Sequence, residues 1–342
     1  MLYQIISFFA TALIGVGAGC LAVGFRYGAG WVMQFGLVAA SPLPFWQFAL
    51  MAFSLTTGGA LVTGWLMERF APDAPGSGIP QVKDAYAHKR FDFSWNLLLV
   101  KFFGGILSIG TGSSMGREGP TIHIGAALAN KIANSIKEPN EAKANAICAG
   151  AAAGLAAAFN TPLAGVTLVL EEIAESQNMD KYAGRCLLAS AISVSMVYLL
   201  VGDLPTLPIG GDIPMKWEVF WLAPVVAFLA SLAGIFFQWA TLELRLLFKR
   251  SSIPLWLRPA IGAAVSACFC ILAFGLTSHL GAFGLGEIDL RAVLENQLLW
   301  QAAGWLLGAK LIATIFCYGS GGCGGIFAPL IFFGGMTGLI VY

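Results

Sequence analysis

Charge is the scarcest commodity in this sequence. Asp, Glu, Lys and Arg make up 11% of its 342 residues, where a soluble domain carries about a quarter. No charged residue falls between Arg26 and Glu68, between Lys143 and Glu171, between Glu218 and Glu243, or between Arg258 and Glu287, and none follows Lys310. Stretches of that length exclude a chain wetted on all sides. An excess of either sign is also missing: the formal net charge is +1, which leaves no electrostatic footprint for nucleic acid. Histidine is limited to His88, His123 and His279, a thin supply for general-base or metal chemistry. The seven cysteines (20, 148, 186, 268, 270, 317 and 323) show no paired ligand spacing. They read as buried free thiols, and no metal or cofactor is expected.

What is present is apolar. Hydrophobic residues make up 58% of the chain, and the mean hydropathy is +0.78. A spanning helix needs roughly 20 apolar residues, so each uncharged stretch holds one or two spans. The sequence predicts an all-α integral membrane protein with about ten or more membrane helices, some short or tilted. Basic residues gather at Lys89–Arg90, Lys131–Lys143 and Arg245–Arg258, which marks those loops as cytoplasmic. The N-terminus lacks the basic region of a signal peptide. Gly-Ala-Gly-Cys at 17–20 has glycine where a lipoprotein cleavage site usually has leucine, so residues 1–25 are read as the first span.

The chain also repeats itself. Shifted by 209 residues, Lys101 falls on Lys310, Gly110 on Gly319, Gly112 on Gly321, Gly116 on Gly325, Pro120 on Pro329 and Gly125 on Gly334. Each block is a lysine, an apolar stretch, a Gly/Ser-rich break, then a proline opening another apolar stretch. Glycine-interrupted hydrophobic segments at matching places in two halves are the mark of a transporter repeat, with the substrate site at the interruptions. The halves are predicted at 1–205 and 206–342. In the first, Pro120 is followed by a helix over about 142–158, then Asn160-Thr161-Pro162 and a run ending at Glu171-Glu172. The same shift puts that end of the second half beyond Tyr342, so its closing helices are expected to lie outside this sequence.

Three motifs share one design: Gly76-Ser77-Gly78-Ile79-Pro80, Gly116-Arg117-Glu118-Gly119-Pro120 and Gly324-Gly325-Ile326-Phe327-Ala328-Pro329. Proline suits the first turn of a helix, where its missing N–H costs nothing. Each motif therefore predicts a helix N-terminus at the end of an apolar segment. Such an end presents unpaired N–H groups and roughly half a positive charge. Inside a membrane those donors need partners, and an anion supplies them. Neutral donors suit a transported ion, which has to leave as well as bind. Taken singly, each motif is as well explained by glycines that let membrane helices pack closely; three of them, two related by the repeat, favour the anion.

These motifs, in this order, resemble the anion-site motifs of the ClC family of chloride channels and chloride/proton antiporters. The run Ala157-Ala-Phe-Asn-Thr-Pro-Leu-Ala-Gly165, followed by Glu171-Glu172, resembles the helix that carries the family's inner proton glutamate. The resemblance implies a prokaryotic ClC-type inverted-repeat bundle of tilted and broken transmembrane helices in a bacterial inner membrane. It implies a homodimer surrounded by lipid, with a separate ion pathway in each subunit. It places chloride on the Ser77 hydroxyl and on main-chain N–H groups at Gly119, Ile326 and Phe327. Glu118 would be the external gate, whose carboxylate can occupy an anion position and leaves it on protonation. Glu172 would be the internal proton acceptor, with Glu171 its neighbour toward the cytosol. Serine at 77 favours chloride over nitrate and argues against the fluoride-exporting branch. The tyrosine with which family members complete the central site has no counterpart at Tyr318 or Tyr342. Coupled chloride/proton exchange is the expected activity, and the alternative is a passive voltage- or pH-gated chloride channel on the same scaffold.

Two other motifs carry less. Gly112-Ser113-Ser114-Met115-Gly116 fits G-x-S-x-G, but that elbow needs a strand-to-helix turn and a histidine base. Gly319-Ser-Gly-Gly-Cys-Gly324 fits G-x-G-x-x-G, with no surrounding βαβ unit. No enzymatic activity is expected. His123, next to the Glu118 motif, is read as a packed polar residue rather than a proton relay.

Overall fold

The computed structural model describes residues 2–89, 91–173, 179–202, 217–295 and 297–342. The described residues form thirteen α-helices and no named strand: α1 Leu2–Met33, α2 Phe45–Phe70, α3 Ile79–Ala87, α4 Trp95–Gly110, α5 Glu118–Ser135, α6 Asn140–Phe159, α7 Pro162–Glu172, α8 Met179–Val201, α9 Trp217–Arg250, α10 Arg258–Thr277, α11 Glu287–Leu294, α12 Trp300–Gly319 and α13 Phe327–Val341. A π-helical turn, Gln34–Val38, extends α1. The first span is thus longer than residues 1–25, because Gly28 and Gly30 neither cap nor charge the helix and nothing stops it before Met33.

Seven helices among the described residues are long and apolar enough to cross a membrane, and α4 and α13 are shorter apolar helices. The glycine breaks at 111–117 and 320–326 separate α4 from α5 and α12 from α13.

Contacts group the residues into two compact units. The first is Met1–Gly28, Arg69–Ile106 and Arg117–Thr206; the second is Ala29–Glu68, Leu107–Gly116 and Leu207–Tyr342. The first is built on α6, whose Ala/Gly sequence is almost wholly buried. With no side chain in the way, backbones meet. A Cβ on Gly125 of α5 would collide with the Gly150 carbonyl of α6, and one on Gly154 would collide with the Thr121 carbonyl. Small residues drive association of membrane helices in this way, since lipid leaves little hydrophobic gain from pairing. Gly125→Val is therefore expected to cost more than about 3 kcal/mol, because the clash is with backbone. The readout is size-exclusion chromatography in detergent, where the monodisperse peak should be lost.

An ion pair with a buried carboxylate and a partly buried arginine ties the same unit together. Arg185 of α8 donates from Nη2 to Glu138 Oε1 at 2.9 Å and from Nη1 to Oε2 at 3.1 Å, and from Nε to Thr11 Oγ1 of α1 at 2.8 Å. Removing one partner from such a pair costs several kcal/mol (about 3–5).

The core of the second unit runs through Leu37, Phe48, Phe283, Leu306, Phe332 and Met336. Helix α9 by contrast exposes Trp221, Phe228, Ile235 and Trp239, an apolar surface of the kind lipid covers.

Candidate functional site

The first motif forms a turn with two left-handed glycines, Gly76 at φ +79° and Gly78 at φ +92°. Gly78 is the N-cap of α3, and Pro80 sits in its first turn. A side chain at Gly78 would also collide with Cβ of His123 on α5, so glycine is required twice over. Ser77 between them is 5% exposed, and its Oγ accepts the Ile79 N–H at 3.4 Å. Gln81 of α3 donates from Nε2 to the Pro75 carbonyl at 2.8 Å. Lys101 of α4, wholly buried, donates from Nζ to the carbonyls of Ala74, at 2.7 Å, and Gly76.

The second motif opens α5. Glu118 is the first helical residue and 3% exposed. Arg117 before it is also buried and reaches the Ala158 carbonyl at 3.4 Å. Thr121 Oγ1 donates to the Glu118 carbonyl at 2.8 Å, which closes the first turn. Gly119 lies against Ser77: a Cβ there would sit 2.6 Å from Ser77 Cβ and 2.9 Å from the Ser77 carbonyl oxygen. The starts of α3 and α5 therefore meet at one buried place, with Ser77, Glu118 and Gly119 around it.

The third motif opens α13, with Ile326 as N-cap and Phe327 as the first helical residue. Within the second unit its preceding turn pairs with the turn before α5. Gly116 N–H donates to the Gly325 carbonyl and Gly325 N–H to the Gly116 carbonyl, both at 2.7 Å. These glycines correspond under the repeat. The side chain of Met115 packs where Gly322 and Gly324 lack one, since a Cβ on either would come within 2.9 Å of its atoms.

Glu171 and Glu172 end α7 and are exposed. Glu172 Oε2 is 3.9 Å from Lys83 Nζ on α3, both more than half exposed, a pairing too wet to contribute much. They are not part of the buried cluster at Ser77 and Glu118.

The rival motifs have lost their support. Ser114, the central serine of G-x-S-x-G, is fully buried and shares a hydrogen bond with Thr314 Oγ1 at 3.0 Å. It follows a helix end, not a strand. No strand accompanies the glycines at 319–324 among the described residues either. His123 is buried, with its ring edge-on to Phe93 at 5.8 Å and neither nitrogen hydrogen-bonded among the described residues. No group of His, Cys, Asp and Glu able to hold a metal occurs among the described residues. The sequence singled out Lys101 only as the residue that falls on Lys310 in the repeat. Its grip on loop carbonyls has no local signature, although the matching Lys310 pointed to a shared role.

Helix starts meeting at a buried serine and glutamate, on glycine-broken membrane helices, define an ion-transporting membrane protein. The family model of the voltage-gated chloride channels matches residues 58–342, and the chain belongs to that family. It is 31% identical over 337 residues to the protein named H(+)/Cl(-) exchange transporter ClcA from Cronobacter sakazakii, covering 96% of this chain and 71% of that one. It is 31% identical over 342 residues to the ClcA of Salmonella typhimurium, covering 96% and 70%. Among solved structures it resembles a slow cyanobacterial Cl-/H+ antiporter, with a TM-score of 0.83 at 26% identity over 96% of this chain and 77% of the other. It also shares its fold with a CLC-type fluoride/proton antiporter, with a TM-score of 0.79 at 23% identity over 97% and 80%. The chain is an all-α, multi-pass membrane protein with the CLC transporter fold.

Proposed function

We propose that this protein exchanges chloride for protons across the bacterial inner membrane, as a homodimer with one pathway per subunit and with residues 1–205 and 206–342 as its two repeats. The observation that carries the reading is the buried meeting of Glu118, Gly119 and Ser77 at two helix starts. It agrees with the names of the relatives, which are exchange transporters rather than channels.

Chloride is held by neutral donors: the Ser77 hydroxyl and the N–H groups of Gly119, Ile326 and Phe327. Helix N-termini favour an anion without committing a full positive charge to it. Glu118 competes for the same donors. As a carboxylate it satisfies them; as a carboxylic acid it loses its claim and yields to chloride. Taking up a proton and admitting chloride are then one event, which is the coupling. On the inner side the two paths part. Chloride follows N–H and O–H donors, whereas the proton needs a titratable group in contact with cytoplasmic water, and the exposed Glu172, with Glu171 beside it, fits that need.

The test is reconstitution in liposomes. An outward chloride gradient should drive protons inward against their own gradient, read by a pH electrode. Chloride flux with no proton movement would make the protein a passive channel on this fold.

A further inference from the structure

A buried ammonium grips the Ser77 turn from behind, and the second unit contains the same device. In the first unit Lys101 holds the carbonyls of Ala74 and Gly76. In the second, Lys310 of α12 is equally buried and donates from Nζ to the carbonyls of Gly281 and Gly284, both at 2.9 Å. Gly76 lies 25 residues before its lysine and Gly284 lies 26 before its own. With that one-residue slip, Gly76-Ser77-Gly78 matches Gly284-Leu285-Gly286. Gly284 and Gly286 have positive φ, +50° and +77°, and Gly286 caps the short helix α11 as Gly78 caps α3. The fold thus builds one cradle twice: a Gly-x-Gly turn, a short helix, and a buried lysine bonded to the turn's carbonyls. The middle residue is serine in one copy and leucine in the other.

The grip has a directional consequence. Across a trans peptide the carbonyl and the following N–H point opposite ways, and the chain has no cis peptide among the described residues. With the Gly76 carbonyl turned onto Lys101, the N–H of Ser77 faces away from the lysine. The Ala74 carbonyl is bonded as well, and residue 75 is a proline with no N–H of its own, so the approach to Ser77 has little freedom left. On α5 the His123 side chain fills the space under Gly78, and Gly119 is in contact with Ser77.

We propose that Lys101 is a positioning residue for anion selectivity, which acts by fixing the turn that presents the Ser77 N–H and hydroxyl to chloride. This rests on the reading of Ser77 as a chloride donor. A donor held rigidly distinguishes a spherical chloride from a planar nitrate, whereas a donor on a loose turn adapts to both. The role belongs to Lys101 and not to Lys310, whose cradle presents a leucine.

A double-mutant cycle decides it, with the chloride-to-nitrate affinity ratio of the detergent-solubilised protein measured by titration calorimetry. Ser77→Ala and Lys101→Met are each expected to lower the ratio by about fivefold or more, and the double variant by no more than about twofold beyond Ser77→Ala. Effects that multiply would mean that Lys101 acts only as a distant charge, which overturns the proposal. If Ser77→Ala leaves the ratio unchanged, the chloride site itself is misassigned, a separate failure. If Lys101→Met does not fold, Lys101→Gln decides. It keeps N–H donors without charge, and should retain more than about half of the wild-type ratio. A Lys101→Gln ratio as low as that of Ser77→Ala overturns the proposal.

Discussion

Glu118→Gln is expected to carry chloride at a rate that no longer depends on pH, with no proton movement at all. Glu118 is buried at the first residue of α5, the end of a helix at which an anion is readily held. The ratio of ionised to protonated carboxyl changes about tenfold per pH unit, so any step that waits for Glu118 to be protonated inherits that dependence. Glutamine imitates the protonated acid in shape and hydrogen bonding but cannot release a proton. Chloride efflux from liposomes, followed across a pH series with a chloride electrode and a pH electrode together, gives both readouts. A variant that still moved protons uphill would remove Glu118 from the coupling.

Glu172→Gln should have the complementary phenotype: proton movement abolished, chloride flux kept within about tenfold of wild type, a barrier change of no more than about 1.4 kcal/mol. Glu172 is exposed at the end of α7, away from the buried cluster, and its contact with Lys83 is long. The amide costs little in packing or stability there. The two variants would then share the loss of proton movement, and only Glu118→Gln would also lose the pH dependence of chloride flux. If coupling survived Glu172→Gln, Glu171 would be the next group to remove, and survival of coupling without either would sink the proton assignment on α7.

Much of this arrangement was legible in the sequence where local chemistry decides it. Helices expected to start near Pro80, Pro120 and Pro329 start at Ile79, Glu118 and Phe327, because glycine and proline fix a helix end through their own backbone limits. The break between α6 and α7 at 160–161 was legible for the same reason: Asn160 adopts a left-handed conformation, φ +59°, just before Pro162. What the sequence hid depends on distant parts of the chain. The partners of Lys101 lie 25 and 27 residues away, and nothing near Glu138 announces Arg185. The second cradle escaped because a one-residue slip moves Gly284 and Gly286 out of the frame that aligns the lysines, and because Glu287-Ile288 replaces the Ile79-Pro80 that marks the first.

The glycine contacts of α5 bear on movement as well as on shape. Where Gly125 meets Gly150 and Gly154 meets Thr121, backbone lies on backbone with no side chains between them to slide or repack. Sliding α5 past α6 would have to break those backbone contacts. The Glu118 side chain needs no such movement, since it can swing by turning its own few bonds, as a small lever on a post that α6 braces.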